Sequence, residues 1–126
     1  MIAVIFEVEP APAQRQAYLD TAAALRAELE AIDGFISVER FESLSRPGRL
    51  LSLSFWRDEE AVRRWRNLAS HREAQARGRQ GVFCDYRLRV AEVLRDYGLR
   101  ERDEAPADTR AAHDAAAPVR PAYLGR

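Results

Sequence analysis

Two hydrophobic periodicities alternate along the first 94 residues, and their order constrains the fold more than any other feature of the chain. In some segments β-branched, aromatic or other apolar side chains recur every second residue, which is typical of β-strands. In the segments between them apolar side chains recur every three or four residues, which is typical of amphipathic helices. The strand pattern occupies residues 2–8, 35–43, 49–56 and 82 to about 94, and the helical pattern occupies residues 12–32, 58–69 and a more polar stretch, 70–79. The resulting order is β-α-β-β-α-β.

Residues that start and stop regular structure lie at the boundaries between these segments. Pro12 suits the first turn of a helix, and Gly34, which follows an aspartate, suits the end of that helix because a left-handed residue is favoured there. Asp58 is expected to cap the second helix, with two glutamates in its first turn. The Ser-Arg-Pro-Gly sequence at residues 45–48 predicts a turn that joins the second and third strands as a hairpin.

This order predicts an α+β fold of the ferredoxin-like type, with an antiparallel sheet that carries both helices on one face, over residues 1–98. The first strand is nevertheless apolar on both faces, because Ile2, Val4, Phe6 and Val8 line one face while Ala3 and Ile5 line the other. A single helix layer would leave the second apolar face in water. The sheet of an identical subunit would cover it, so the chain is expected to form a homodimer.

Residues 99–126 differ in composition from the rest of the chain. They are rich in Ala, Pro, Arg and Asp and show almost no apolar periodicity before Val119, Tyr123 and Leu124. Composition alone predicts that such a segment is disordered. If it is ordered, a segment this polar needs a surface to lie on, and the partner subunit is the expected one.

The charge balance and the cysteine content exclude several classes of function. Twenty basic residues offset twenty acidic ones, so no net field directs the chain to nucleic acid or to an anionic membrane. All the basic residues are arginines, which excludes Schiff-base chemistry on a lysine. The single cysteine, Cys84, is expected to be a buried, inert thiol, and it allows no internal disulfide. Without a signal-like N-terminus or an 18-residue apolar run, a cytoplasmic location is expected.

The candidate chemistry centres on Trp65 and His71. Six residues correspond to about 600° on a continuous helix, so the two side chains would not share a face unless the helix breaks near residues 67–70. With such a break, both would face one cavity that could bind a flat aromatic molecule and move a proton. Further groups expected to bind the substrate are Phe55, Asn67, Arg72 and Tyr86. Two alternatives remain open: core packing for Trp65 and a helix-capping role for His71.

No metal site is expected, because the second histidine, His113, lies in the C-terminal segment. Zinc or iron sites that need two or more histidines are therefore disfavoured within one subunit.

Several segments together resemble the antibiotic biosynthesis monooxygenase family over about residues 1–98. The resemblance is carried by Phe35–Phe41 after Asp-Gly, Ser54-Phe55-Trp56-x-Asp58-Glu59-Glu60-Ala61, Trp65-Arg66, Ser70-His71-Arg72 and Tyr86-x-Leu88-x-Val90. It implies a dimeric α+β barrel. Some members of the family oxidise polycyclic aromatic phenols to quinones with neither metal nor flavin, and in them a tryptophan and a tyrosine six residues later line the pocket. Trp65 matches that tryptophan, and His71 stands in place of the tyrosine.

Other members of the family bind and degrade haem. They use an asparagine on the first strand, a tryptophan, and an axial histidine ten residues after that tryptophan. Trp65 again matches, but Glu7 stands near the asparagine position and Gln75 at the histidine position. The resemblance therefore implies no haem cofactor of that type unless His71 takes the axial role.

Three functional hypotheses follow. The leading one is a cofactor-independent monooxygenase acting on a small aromatic or phenolic substrate, with Trp65 and Phe55 shaping the pocket and His71 accepting or relaying a proton. The second is haem binding or haem degradation. The third is a non-catalytic dimeric binding or stress-related module, which would be favoured if no cavity lies beside His71.

Overall fold

The predicted order of strands and helices is present in the structure, a computed structural model that describes residues 1–115. The second predicted helical region consists of two separate helices, and a short 3-10 turn, Pro12–Gln14, precedes the first helix. The elements are β1 (Ile2–Pro10), α1 (Arg15–Glu30), β2 (Phe35–Glu42), β3 (Leu50–Trp56), α2 (Glu59–Arg66), α3 (Ala69–Arg77), β4 (Phe83–Glu92) and α4 (Ala107–Ala115). The first seven lie in one compact unit, Met1–Val93, and α4 lies in a second unit that starts at Leu94.

The four strands form one antiparallel sheet in the order β2-β3-β1-β4, which confirms the α+β, ferredoxin-like prediction. The register pairs Val4 with Ser54 on one side and with Val90 on the other. Because side chains alternate along a strand, Val4 and Phe6 share one face of the sheet and Ile5 lies on the other. The helices pack on the face that carries Val4.

Trp56 forms the centre of the core. Its side chain is fully buried, at 0% exposure. Its indole Nε1 donates a hydrogen bond of 2.9 Å to Oγ of Ser54, so the one polar atom of the ring has a partner. The core cluster around it joins the sheet to α1 and α2 through Val4, Leu29, Ala61 and Val62.

The caps and turns predicted from the sequence are present. The carboxylate of Asp58 accepts a hydrogen bond of 2.9 Å from the backbone N–H of Ala61 at the start of α2. This bond and the neighbouring Arg57 guanidinium hold the pKa of the Asp58 carboxyl below its usual value. Gly34 adopts the left-handed conformation after α1, with φ of 95°.

At two irregularities in the sheet, side chains lie on a different face from the one that simple alternation along the strand would give them. Between Phe35 and Ser37 the register of β2 shifts, which brings Phe35 opposite Trp56 and into the core rather than onto the face of Ser37. Between Glu9 and Pro10 the pairing of β1 with β4 shifts in the same way, and Cys84 falls in the irregular stretch. The prediction of a buried Cys84 is wrong, because its side chain is exposed.

The second unit is described only up to residue 115. Residues 107–115 form α4, where composition alone predicted no regular structure. Val119, Tyr123 and Leu124 lie outside the described residues, and packing of residues 99–126 on a partner subunit stays a prediction. Within residues 1–115, no helix combines the length and the apolar character needed to cross a membrane.

Gly34 offers a test of how tightly the core is packed. A Cβ at this position would lie 2.7 Å from Cβ of Ala61, whereas a Cβ at Gly48, which also has positive φ, would meet nothing within 4 Å. Both Gly34→Ala and Gly48→Ala introduce a similar backbone penalty, roughly 1–2 kcal/mol. Gly34→Ala adds the steric overlap, so we expect it to lower the free energy of unfolding by about 1–3 kcal/mol more than Gly48→Ala does. Urea unfolding of both variants measures this difference, and equal losses would contradict the packing described.

Candidate active site

A cavity of about 490 Å³ lies within the first unit, between the helices and the sheet face that carries Val4. Its sheet side is formed by every second residue of the strands, as alternation requires. In register, Arg40 of β2 faces Ser52 of β3, which in turn faces Phe6 of β1. The helices contribute Tyr18, Leu25 and Leu29 from α1, Trp65 from α2, and His71, Ala74, Gln75 and Arg77 from α3.

The break between α2 and α3 brings Trp65 and His71 together. Helix α2 ends at Arg66 and α3 begins at Ala69, as the sequence required for the two side chains to share a cavity. The rings of Trp65 and His71 lie 4.4 Å apart between centroids. Asn67 stabilises the break, since its Nδ2 donates a hydrogen bond of 2.8 Å to the carbonyl oxygen of Arg63.

Trp65 also connects the cavity to the core. Its indole stacks on that of Trp56, with centroids 5.1 Å apart and planes inclined by 24°. Trp56 in turn contacts Phe35 edge to face at 5.3 Å. The predicted alternative of core packing for Trp65 therefore describes part of its role, because the same ring packs against the core and lines the cavity.

The surroundings of His71 favour the neutral form of its imidazole. Burial is the main cause that lowers its pKa, and the positive charge of Arg72 lowers the pKa further. A neutral imidazole at neutral pH has a free ring nitrogen and can accept a proton. His71 therefore has the protonation state that a general base requires.

Three of the six residues predicted from the sequence line the cavity, namely Trp65, His71 and Tyr86. Phe55 does not, because alternation along β3 places it on the opposite face, in register with Ala3 and Ser37. Asn67 and Arg72 do not line it either. Arg72 donates a hydrogen bond to Oδ1 of Asn67, so these two polar groups bond to each other beside the helix break.

An aromatic cluster contributes wall residues that the sequence did not reveal. Phe6 contacts Tyr86 at 5.7 Å and Phe83 at 5.9 Å, and Phe83 contacts Tyr18 at 5.6 Å between ring centroids. Phe83 was missed because simple alternation from Val82 assigns it to the other face, and the irregularity at the start of β4 reverses that assignment. Tyr18 lay on the predicted apolar stripe of α1 and could have been found there.

The charged groups that line the cavity are all basic. They are Arg26, Arg40, Arg77 and Arg79, together with the titratable His71, and no aspartate or glutamate of residues 1–115 is among the lining residues. The charge of Arg26 is balanced by an ion pair, since its Nε lies 2.9 Å from the carboxylate of Glu30. Nε of Arg40 is buried and has no hydrogen-bond partner. Leaving such a donor unsatisfied typically costs roughly 1–3 kcal/mol.

Comparison with known proteins tests the family resemblance. The family model described as "Antibiotic biosynthesis monooxygenase" matches residues 1–77. The chain belongs to the antibiotic biosynthesis monooxygenase family. The resemblance seen in the sequence is thereby confirmed, and the break between α2 and α3 lies within the matched region.

Two curated proteins are similar to this chain in sequence. The "Jasmonate monooxygenase ABM" of Pyricularia oryzae is 58% identical over 93 residues, which cover 74% of this chain and 43% of that protein. The uncharacterized protein YqjZ of Bacillus subtilis is 32% identical over 68 residues, 54% of this chain and 58% of that protein. The chain thus spans less than two thirds of either relative.

Solved structures of similar fold have lower identity. Rv0793 of Mycobacterium tuberculosis superposes with a TM-score of 0.69 at 23% identity, covering 77% of this chain and 98% of that one. PA3566 of Pseudomonas aeruginosa gives a TM-score of 0.63 at 19% identity, covering 74% and 93%. At these identities the likeness supports the shared fold alone.

The lining residues do not fit the haem site of the haem-degrading branch. Gln75 lines the cavity at the position of the axial histidine, and an amide is not among the usual protein ligands of haem iron. Glu7, near the asparagine position, lies on the face of the sheet away from the helices and accepts a hydrogen bond of 2.9 Å from Arg49. Among residues 1–115 there is also no group of three His, Cys, Asp or Glu side chains placed to hold a metal ion.

The lowered pKa of His71 predicts a pH dependence of stability. The unfolded chain binds this proton more readily than the folded chain, whose pKa lies below 6.5. The free energy of unfolding should therefore fall as the pH drops from about 6.5 toward the folded pKa. We expect His71→Gln to remove the part of this decrease in the free energy of unfolding that comes from protonation of His71. Urea unfolding of wild type and variant at several values from about pH 7.5 to about pH 5 measures it, and parallel curves would show that His71 is not desolvated.

Proposed function

We propose that this protein is a monooxygenase that oxidises a small, electron-rich aromatic substrate, such as a phenol, in the cavity beside Trp65 and His71. The observation that carries this proposal is the position of the His71 imidazole, 4.4 Å from the Trp65 ring on the wall of a cavity of about 490 Å³, where burial lowers its pKa. The non-catalytic alternative would be favoured if no cavity lay beside His71. The lining of the cavity is aromatic on several sides, as a flat ring requires.

In the proposed reaction the substrate itself supplies the electrons for O₂. His71 accepts a proton from the substrate, and the resulting anion transfers electrons to O₂. One oxygen atom forms a new carbon–oxygen bond and the other leaves as water, so that the O–H and one ring C–H of a phenol react with O₂ to give a quinone and H₂O. The balance is complete without a further reductant, and the proton on His71 leaves with the water.

The comparison proteins support the reaction class and leave the substrate open. A relative that is 58% identical is named a jasmonate monooxygenase, although this chain spans 43% of it. The lining residues of the present cavity, Trp65 and Tyr86 among them, favour a ring-shaped apolar substrate. A cytoplasmic location stays a prediction.

Removal of the proposed base should impair turnover. We expect His71→Gln to lower the rate of O₂ consumption with anthrone- or hydroquinone-type substrates by about 10²-fold or more, the usual contribution of a general base. Glu73→Gln is the matched control, because Glu73 lies on the same helix, is exposed and does not line the cavity. An oxygen electrode and product identification by mass spectrometry measure both variants. Equal rates in wild type and His71→Gln would exclude His71 from the mechanism.

We also propose that the chain forms a homodimer through the sheet face away from the helices. This face carries Ile5, Leu53 and Phe55, which are incompletely buried, and Phe41, which is 42% exposed. An antiparallel sheet with helices on one side leaves these side chains without a second layer. A second copy of the chain would bury them symmetrically.

Substitution in this face should separate the subunits. Leu53→Arg places a charge on the face, opposite Glu39 in the register, so the isolated sheet can accommodate it. Leu44→Arg is the control, because Leu44 is fully exposed, at 102%, in the turn between β2 and β3. In sedimentation equilibrium we expect Leu53→Arg to be monomeric and Leu44→Arg to be dimeric. A monomeric wild type, or a dimer that tolerates Leu53→Arg with its circular dichroism unchanged, would refute this interface.

A further inference from the structure

We propose that the cavity recognises its substrate through a carboxylate that binds to Arg40, so that the substrate is a small apolar ring compound carrying an acidic group. This inference rests on the proposed function only in that it calls the ligand a substrate. The binding site itself is argued from the charges of the cavity. All four fully ionised groups that line the cavity are arginines, and no lining residue in the described part of the chain is acidic. A cavity lined by positive charges and by no acidic residue favours an anionic ligand.

Arg40 is the lining arginine whose side chain lacks a hydrogen-bond partner for a buried N–H. Its Nε is buried without a hydrogen-bond partner, and none of the ion pairs within residues 1–115 includes Arg40. A buried guanidinium N–H is normally paired, so a partner supplied by the ligand would complete the site. Arg26 needs no partner from a ligand, because it already forms an ion pair with Glu30.

The carboxylates on β2 do not serve Arg40. Glu42 lies on the same face of the strand two residues away, but its Oε1 is 3.4 Å from the guanidinium of Arg15. Glu39 lies on the opposite face, in register with Leu53. The charge of Arg40 is therefore available to a molecule in the cavity.

The surroundings of Arg40 indicate a carboxylate on an apolar body. A guanidinium matches the planar, two-oxygen geometry of a carboxylate with paired hydrogen bonds. Ser52, the register partner of Arg40, adds a hydroxyl to the same lining. Beyond this pair the sheet side of the cavity is mostly apolar, with Val4, Val38, Phe6 and Leu88. Of the two polar residues that remain, Ser54 already accepts a hydrogen bond from the Trp56 indole, and Tyr86 adds an aromatic ring with a phenol group. A phosphate dianion would need a second enclosed cation beside the partly buried Arg40, and Arg77 and Arg79 are both exposed.

Binding measurements without turnover test this site. The probes are 1-naphthoate, the neutral 1-naphthamide and 1-naphthyl phosphate, titrated by calorimetry into the full-length protein. We expect wild type to bind the carboxylate at least about tenfold more tightly than the amide, as a charge-assisted hydrogen bond typically provides. Arg40→Gln should abolish this preference and Arg40→Lys should retain part of it. Arg66→Gln is the control, because Arg66 is exposed and does not line the cavity, and it should retain the full preference.

The outcomes separate this inference from the proposed reaction. Equal binding of naphthoate and naphthamide to wild type, a preference that persists in folded Arg40→Gln, or tighter binding of the phosphate would each overturn the carboxylate site. Carboxylate binding that depends on Arg40 in a protein that consumes no O₂ would support the site and refute the monooxygenase reaction. Circular dichroism establishes that each variant is folded, and Arg40→Lys provides a second, more conservative test of the guanidinium.

Discussion

The stacking of Trp65 on Trp56 is the interaction on which the candidate site depends. Trp56 is the fully buried centre of the core, with its only polar atom satisfied by Ser54. Trp65 takes its position from this ring, and His71 takes its position from Trp65, so the imidazole is placed by packing that begins in the sheet. A pair of aromatic contacts thus transmits the rigidity of the core to a side chain that can accept a proton. The short break between α2 and α3 makes this possible, since a continuous helix would direct Trp65 and His71 to different faces.

The electrostatics of the cavity have a single sign. Burial and Arg72 lower the pKa of His71 and so favour its neutral form, while the lining arginines favour a negative charge within the cavity. These two effects are compatible with one another, because a bound anion would favour the charged form of the imidazole and strengthen it as a base. An apolar body held by the partly buried guanidinium of Arg40 is the ligand that this lining favours. The composition of the chain, in which every basic residue is an arginine, bears on function at Arg40, where the planar guanidinium offers paired donors that a lysine lacks.

The sequence predicted the order of the elements, the ends of the first helix, the hairpin turn and the alternation of β3, because each depends on local rules of periodicity and turn chemistry. It also predicted that Trp65 and His71 would meet if the helix broke near residue 67. It was wrong for Cys84, which lies where the register of the sheet shifts, since such a shift reverses the face of a side chain without a local signal. Phe55 was assigned to the pocket by its proximity to Trp56 in the chain, although neighbours along a strand point to opposite faces.

The sequence by itself determined the α+β architecture and the likeness to the antibiotic biosynthesis monooxygenase family. Local propensity and the spacing of apolar residues are sufficient for these, because they are properties of short segments. Only the tertiary structure decided which side chains line the cavity and which of its charges lack a partner. Arg40 resembles any other arginine in the sequence, and its buried, unpaired Nε arises only when β2, β3 and the helices enclose one space. Burial and pairing are relations between segments distant in the chain, and therefore no local pattern encodes them.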